Sequence, residues 1–365
     1  MKKIISIVGA RPQFVKAAML SRAILAKKAA GGEDIQEFIL HTGQHYDACM
    51  SEVFFADLNI PQPAWRLDCA GGSHGRMTGR MLEGIEEILV RERPQAVIVY
   101  GDTNSTLAGA LAASKLHIAT AHVEAGLRSY NRCMPEEINR VLTDHVSSLL
   151  LCPTRLAVRN LGLEGIVDGV HLVGDLMYDA ALLFGSVADE KSDALARMRL
   201  QPRSYRLCTL HRAENVDEPD RLAEIFRAIL NISSVECPTI IPLHPRTELR
   251  LKSFDLYDQI LRAGNILRII PPASFIDMAA LEKNALCILT DSGGVQKEAY
   301  FHRTPCITLR NETEWVETLE SGWNVLAGNT FEGIIKAISR PTSVEMKNID
   351  EYGDGHAAEA IAALL

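Results

Sequence analysis

No window of this sequence reaches the ~18 consecutive apolar residues that a membrane span needs. Nor does its start look like a secretory leader, because KKIISIVGARPQF passes from a few apolar-rich positions directly into a strand, loop and helix pattern. A cytosolic protein is therefore expected. Basic residues are in deficit: 38 Lys and Arg stand against 46 Asp and Glu, a formal net charge of -8, and no Lys/Arg cluster is visible. That balance speaks against a sequence-independent grip on nucleic acid or an anionic membrane, so any phosphate site must be local.

Metal and redox motifs are missing as well. The eight cysteines (Cys49, Cys69, Cys133, Cys152, Cys208, Cys237, Cys287 and Cys306) are dispersed, without a C-x-x-C pair or zinc-type cluster. They are expected to be buried thiols in a reducing compartment. His41, His45, His117, His122 and His145 show no H-E-x-x-H spacing. Gly71–Gly75 lacks the P-loop Lys-Ser/Thr and follows no convincing strand, so a loop is expected there. Gly9–Phe14 is not G-x-G-x-x-G, which removes the main support for a nicotinamide enzyme. No cofactor and no metal are expected, and no internal sequence repeat is seen.

What is present is an ordinary globular composition on a long chain. With 365 residues, 47% hydrophobic and 23% charged, the chain can fill two cores, so two domains of roughly 150–200 residues are expected. Short Val/Ile-rich runs ending in Gly, Asp or His alternate with amphipathic stretches, the pattern of parallel strands covered by helices on both faces. Strands are expected at Lys3–Val8, Glu37–Thr42, Ala96–Tyr100, Ala119–Val123, Leu149–Cys152 and Gly169–Val173. A second set follows at Arg206–Leu210, Thr239–Leu243, Ile266–Ile269, Cys287–Thr290 and Cys306–Leu309, with helices such as Arg221–Asn231 and Phe275–Asn284 between them. The fold class is α/β, with residues 1–172 as one domain and 173–352 as the other. The Ala-rich final helix, Gly355–Leu365, is apolar on one face and needs a partner surface.

In open parallel sheets the ligand lies beyond the carboxyl ends of the strands, and those positions here are loaded with chemistry. After the first strand come Gly9, Arg11, Pro12 and Lys16, with two cations near an opening helix. After CILT comes Asp291-Ser292-Gly293-Gly294 at a helix start, where small residues let an anion approach free N–H groups. Asp102 follows AVIVY, Glu124 follows the strand from Ala119, Glu136 sits in a Pro-led helix start, and His211 follows the first strand of the second set. Any one of these acids could be a plain helix cap. Their shared placement at strand ends points instead to proton chemistry beside a diphosphate.

These residues lie in motifs that resemble those of the non-hydrolysing UDP-N-acetylglucosamine 2-epimerases. The motifs are GARPQFVK (Gly9–Lys16), HTGQHYD (His41–Asp47), YGDTNST (Tyr100–Thr106), HVEAGLRS (His122–Ser129), PEEINR (Pro135–Arg140), HRAEN (His211–Asn215), TDSGGVQKEA (Thr290–Ala299) and TEWVE (Thr313–Glu317). The resemblance runs to the terminal YGDGHAAEAI (Tyr352–Ile361). It implies two Rossmann-like domains of GT-B type with a cleft between them, the first completed by the C-terminal helix 353–365. It also implies that Ser292, Gly293 and Gly294 hold the diphosphate with Arg11, that Glu298 binds ribose hydroxyls, and that Phe275 neighbours the uracil. Asp102, Glu124, Glu136 and His211 occupy the positions of the family's catalytic groups. Lys16 and Arg140 line the same cleft, and His244 joins the substrate-binding set. The implied partners are a UDP-sugar and UDP, in a homodimer.

The sequence departs from the commoner family pattern at RPQFVK, and this resembles the branch acting on UDP-2,3-diacetamido-2,3-dideoxyglucuronic acid. Such a substrate carries a carboxylate, for which Arg128, Arg132 and Arg310 are the candidate cations. UDP-GlcNAc is the alternative substrate. A GT-B glycosyltransferase, a nucleotide-sugar sensor and a hydrolysing epimerase are the competing functions.

Overall fold

The computed structural model describes residues 2–44, 61–339 and 350–365, the side chain of Arg11 excepted. The end of HTGQHYD, from His45, and Cys49 lie outside the described residues. Two compact units emerge, Met1–Ala180 with Asp350–Leu365, and Ala181–Ile349.

The first unit is built on seven parallel strands: β1 (Lys2–Val8), β2 (Ile35–His41), β3 (Trp65–Arg66), β4 (Ala96–Tyr100), β5 (Ala119–Val123), β6 (Leu149–Cys152) and β7 (Val170–Leu172). Their order is β3-β2-β1-β4-β5-β6-β7, and every pairing is parallel. AVIVY is buried along its whole length, as a central strand covered on both faces must be. On one face Ile5, Ile7, Val97 and Val99 pack with Met81, Ile85 and Leu89 of the helix His74–Glu92 and with Ala108 and Ala112 of the helix Asn104–Lys115. Alanines and Gly109 keep that second helix close to the sheet: a Cβ on Gly109 would meet Ile7 Cδ1 at 2.8 Å.

The second unit repeats the plan with β8 (Arg206–Thr209), β9 (Thr239–Pro242), β10 (Leu267–Ile270), β11 (Cys287–Thr290), β12 (Cys306–Thr308) and β13 (Asn324–Leu326). The order is β10-β9-β8-β11-β12-β13, again all parallel. Its core gathers Cys208, Ile241, Leu289 and Ile307 from the strands with Ile225, Phe226 and Ile229 of the helix Pro219–Ile232.

Several expectations shift. The chain divides at 180/181 and 349/350 in place of 172/173 and 352/353. Asp175 N donates to the Tyr352 carbonyl, and Asp179 accepts from Ala357 N at 3.1 Å and Ala358 N at 2.7 Å, which ties residues after β7 to the first unit. The helix Ala357–Leu364 finds its partner surface on the helix Arg11–Ala29, where Lys27 Nζ donates to the Ala362 carbonyl at 2.6 Å. The Gly71–Gly75 loop ends earlier than expected, since Ser73 caps a helix that starts at His74. Strands β3 and β13 are too short to show a period in the sequence. Cys133 is exposed, and Cys237 and Cys287 are half-buried, against the expectation of buried thiols. Among the described residues no helix is long and apolar enough to cross a membrane.

Candidate active site

In each sheet the strand order reverses at one point, between β1 and β4 and between β8 and β11, and there the loops leave a crevice for a ligand. Lys16, Asp102, Glu124 and Arg140 gather at the first point, and His211, Asp291 and Ser292 lie at the second.

In the first unit, Gly9 serves close approach. A side chain there would run into the hydroxyls of Thr42 and Ser105, which bond each other at 2.8 Å. Pro12 sits in the first turn of the helix Arg11–Ala29 as expected. Gln13, buried, accepts from Gly9 N at 2.7 Å and Ala10 N at 3.0 Å, and donates to the Tyr100 carbonyl at 2.6 Å and the Thr103 and Thr106 hydroxyls. One amide thus fastens the loop after β1 to the loop after β4. Lys16, one turn on, meets the Glu124 carboxylate in an ion pair whose side chains are only 6% and 11% exposed. Glu124 itself holds a left-handed backbone, φ 72°, a costly conformation for a residue with a side chain. Gly101 leaves the room: a Cβ on it would lie 3.1 Å from Glu124 Oε2 and 3.5 Å from Lys16 Nζ. Lys16, Glu124, Pro153, Gly174, Asp175 and Leu176 line a small hollow at this spot.

Asp102 lies beside them. Arg140 donates through Nε to Asp102 Oδ2 at 2.9 Å, and Asn139 Nδ2 donates to the Asp102 carbonyl at 2.9 Å. Burial raises the Asp102 carboxyl above its usual range; Arg140 and Lys16 pull it down and Glu124 pushes it further up. The helix Pro135–Val146 carries two adjacent acids with opposite fates. Glu136 is exposed, whereas Glu137 is buried and bonded to Arg140, Ser129 and Tyr130. His122, fully buried, bridges Asp144 Oδ1 at 2.6 Å and the Gly101 carbonyl at 2.8 Å, steadying the turn that bears Asp102.

Arg128 requires a correction. Its guanidinium, 1% exposed, is spent on Asp144 at 2.7 Å and Glu164 at 2.6 Å, so it has no free face for a substrate carboxylate. Arg310, 5% exposed at its side chain, is held by Glu314 at 3.0 Å. Arg132 alone of the three proposed cations is exposed.

In the second unit, Asp291 joins the two loops at the switch point: His211 N and Arg212 N donate to its carboxylate at 3.1 and 2.9 Å, and Asn215 Nδ2 at 3.2 Å. His211 lies ring to ring with His244 at 5.4 Å, and partial burial together with His211 pushes the His244 imidazole down. Ser292 caps the helix Gly293–Phe301. The two glycines after it differ. At Gly293 the space is filled by Glu314 Oε1 and Trp315 Nε1, whereas at Gly294 nothing but Ser292 Oγ comes within 4 Å of a would-be Cβ, at 3.8 Å. Gly294 is therefore the open side of this helix start, the kind of end whose free N–H groups favour an anion. Glu298 stands half-buried on the same helix, and Phe275 packs edge-on against Phe184 at 4.8 Å.

Sequence reasoning missed Asp291, Gln13 and Glu137 as organising groups; the only trace was their place inside the motifs. Among the described residues no three His, Cys, Asp or Glu side chains group so as to hold a metal ion.

Two doubly wound parallel sheets, each with its polar groups massed at the strand-order reversal, define the two-Rossmann class of GT-B type, and solved structures of that class match the chain. The chain belongs to the UDP-N-acetylglucosamine 2-epimerase family, whose model matches residues 27–365, and it is a UDP-sugar 2-epimerase, an isomerase. A UDP-N-acetylglucosamine 2-epimerase homolog of Methanococcus maripaludis is 48% identical, covering 100% of this chain and 99% of the relative. The UDP-2,3-diacetamido-2,3-dideoxy-D-glucuronate 2-epimerase of Pseudomonas aeruginosa is 46% identical, with the same coverage. The crystal structure of Methanocaldococcus jannaschii UDP-GlcNAc 2-epimerase in complex with UDP-GlcNAc and UDP matches with a TM-score of 0.87 at 44% identity, over 99% of each chain.

Proposed function

We propose that this enzyme inverts C2 of a UDP-N-acetylated sugar without hydrolysis, by eliminating UDP and adding it back. A pyranose C2–H has no adjacent carbonyl, so its simple removal would leave an unstabilised carbanion. Loss of the C2 proton to a base while the C1–O bond to UDP breaks avoids that state and gives a 2-acetamidoglucal. A proton delivered to C2 from the opposite face, with UDP oxygen returning to C1, completes the inversion. Base and acid must stand on different faces, which requires more than one carboxylate.

The observation that carries this reading is the convergence of Asp102, Glu124, Lys16 and Arg140 at one switch point, two acids alternating with two cations. In this reading Asp102, Glu124 and the exposed Glu136 handle the proton around C2. Ser292, Gly293 and Gly294 receive the diphosphate with Arg11, and His211 and His244 attend the leaving group. Glu298 takes the ribose and Phe275 neighbours the uracil. Electrostatic stabilisation of the departing diphosphate is the largest demand on such a site.

The favoured substrate is UDP-2,3-diacetamido-2,3-dideoxyglucuronic acid, supported by RPQFVK and by the Pseudomonas relative. UDP-GlcNAc is the second reading, supported by the Methanocaldococcus enzyme at almost equal identity. A homodimer carries over from the family, and light scattering of the purified chain tests it. The deciding experiment is an NMR time course in D₂O with each UDP-sugar. One solvent deuterium at C2 and two epimers, with no free sugar and no acceptor needed, are expected. Release of free sugar, or an acceptor requirement, would overturn the reading.

A further inference from the structure

One guanidinium serves two carboxylates in the first unit. Arg140 Nη2 lies 2.7 Å from Asp102 Oδ2, and Nη1 donates to Glu137 Oε2 at 2.8 Å. The two acids differ in what else they hold. Glu137, 3% exposed at its side chain, also accepts from Ser129 N at 2.8 Å, Ser129 Oγ at 2.9 Å and Tyr130 N at 2.8 Å. Asp102, 32% exposed at its side chain, faces Arg140 from the helix Pro135–Val146, Glu124 from the end of β5 and Lys16 from the helix after β1. Glu137 is thus anchored to the main chain, and it draws on Arg140 Nη1 while Nε and Nη2 serve Asp102 Oδ2.

We propose that Glu137 is a positioning residue for proton transfer: by dividing the Arg140 guanidinium with Asp102, it fixes the Asp102 carboxylate in place and limits how tightly the cation holds it. This rests on the reading that Asp102 exchanges a proton with C2. Glu137 acts through Arg140, since both of its oxygens are already taken by protein donors. A carboxylate wholly claimed by a guanidinium is a weak base, and one left buried without a cation stays protonated. A divided cation places Asp102 between these extremes. Burial would push Glu137 up, but the Ser129 and Tyr130 N–H groups, Arg140 and the Ser129 hydroxyl hold it below its usual range. It therefore stays an anion and keeps its share of Arg140 wherever Asp102 titrates.

The test is the pH dependence of kcat/KM for epimerisation in wild type, Glu137→Gln, Ser129→Ala and Asp102→Asn. Glu137→Gln removes the second anion on Arg140 and a like charge near Asp102, so the acidic limb should move down by roughly 0.5–1 pH unit. Ser129→Ala takes a donor from Glu137 Oε2, which then draws harder on Arg140, and the limb should move up. KM should change little in either. A loosened loop would lower kcat at every pH and leave the limb in place. Unmoved limbs, or limbs displaced in the same direction, overturn the inference. If circular dichroism shows that Glu137→Gln does not fold, Ser129→Ala decides alone: an upward limb supports the inference and a stationary one overturns it. Full turnover in Asp102→Asn would instead remove the underlying assignment of Asp102, whereas lost turnover there with stationary limbs elsewhere removes only the role of Glu137.

Discussion

A side chain on Gly293 would run into Glu314 Oε1, and its Cβ would lie 3.1 Å from Trp315 Nε1. The TEWVE loop thus packs onto the first residue of the helix Gly293–Phe301. Burial pushes the Glu314 carboxyl up, but Arg310, its own backbone and Arg212 outweigh that and hold it ionised. Gly293→Ala should therefore displace the loop and destabilise the second unit by about 1–3 kcal/mol, the usual range for overpacking. Gly294→Ala meets open space and should fold like wild type, yet weaken UDP binding about tenfold or more by standing where an anion approaches the helix. Thermal melts and calorimetric titration with UDP separate the two effects.

If Asp102 and Glu136 handle the C2 proton as proposed, Asp102→Asn or Glu136→Gln should lower turnover by ~10²–10⁴ and leave UDP affinity near wild type. Steady-state rates beside UDP titrations check this. Wild-type turnover in both variants would remove these residues from the proton path.

Lys16 and Glu124 form a nearly enclosed pair. Lys16→Met takes the lysine from a largely buried carboxylate and should cost up to about 3–5 kcal/mol of stability. Adding Glu124→Leu should recover most of that loss without restoring activity. Chemical denaturation of the single and double variants supplies the measurement.

Asp179 gives the first unit a stability that depends on pH. Burial raises its pKa from 3.8 to about 6, with Glu359 and Asp175 adding to the rise against the Ala357 and Ala358 N–H donors. A folded-state pKa above the unfolded one means the folded chain binds the extra proton in between. Its contribution is therefore full below about pH 4 and is lost as pH rises through about 6, at most about 3 kcal/mol in all. Asp179→Asn should flatten the stability profile over that window, as read from melting curves between pH 4 and 7.

Of the three cations proposed for a substrate carboxylate, Arg132 is the exposed one, Arg128 being enclosed by Asp144 and Glu164. Arg132→Ala should raise KM for UDP-2,3-diacetamido-2,3-dideoxyglucuronic acid about tenfold and leave KM for UDP-GlcNAc unchanged. Equal effects on both sugars would sink the carboxylate role.

The central strands were legible because each is a run of Val and Ile bounded by turn residues, and AVIVY or CILT cannot be polar surface. Helix starts were legible where Pro12 or Ser292 marked them. The short edge strands Trp65–Arg66 and Asn324–Leu326 were not, since two or three residues carry no period. Arg128 was misread for a different reason: a cation in a loop motif looks available until Asp144 and Glu164, 16 and 36 residues away, are seen to close on it.

The sequence by itself determined the strand and helix alternation, the composition of the two cores and which polar residues stand at strand ends, because these follow from local period and turn chemistry. Only the tertiary structure decided which strand ends become neighbours. The order β3-β2-β1-β4 and β10-β9-β8-β11 brings Lys16 beside Asp102 and His211 beside Asp291, although many residues separate them along the chain. It also decided that Glu137 turns inward while Glu136 faces out, since a helix rotates successive side chains by about 100° and only packing says which one meets the protein.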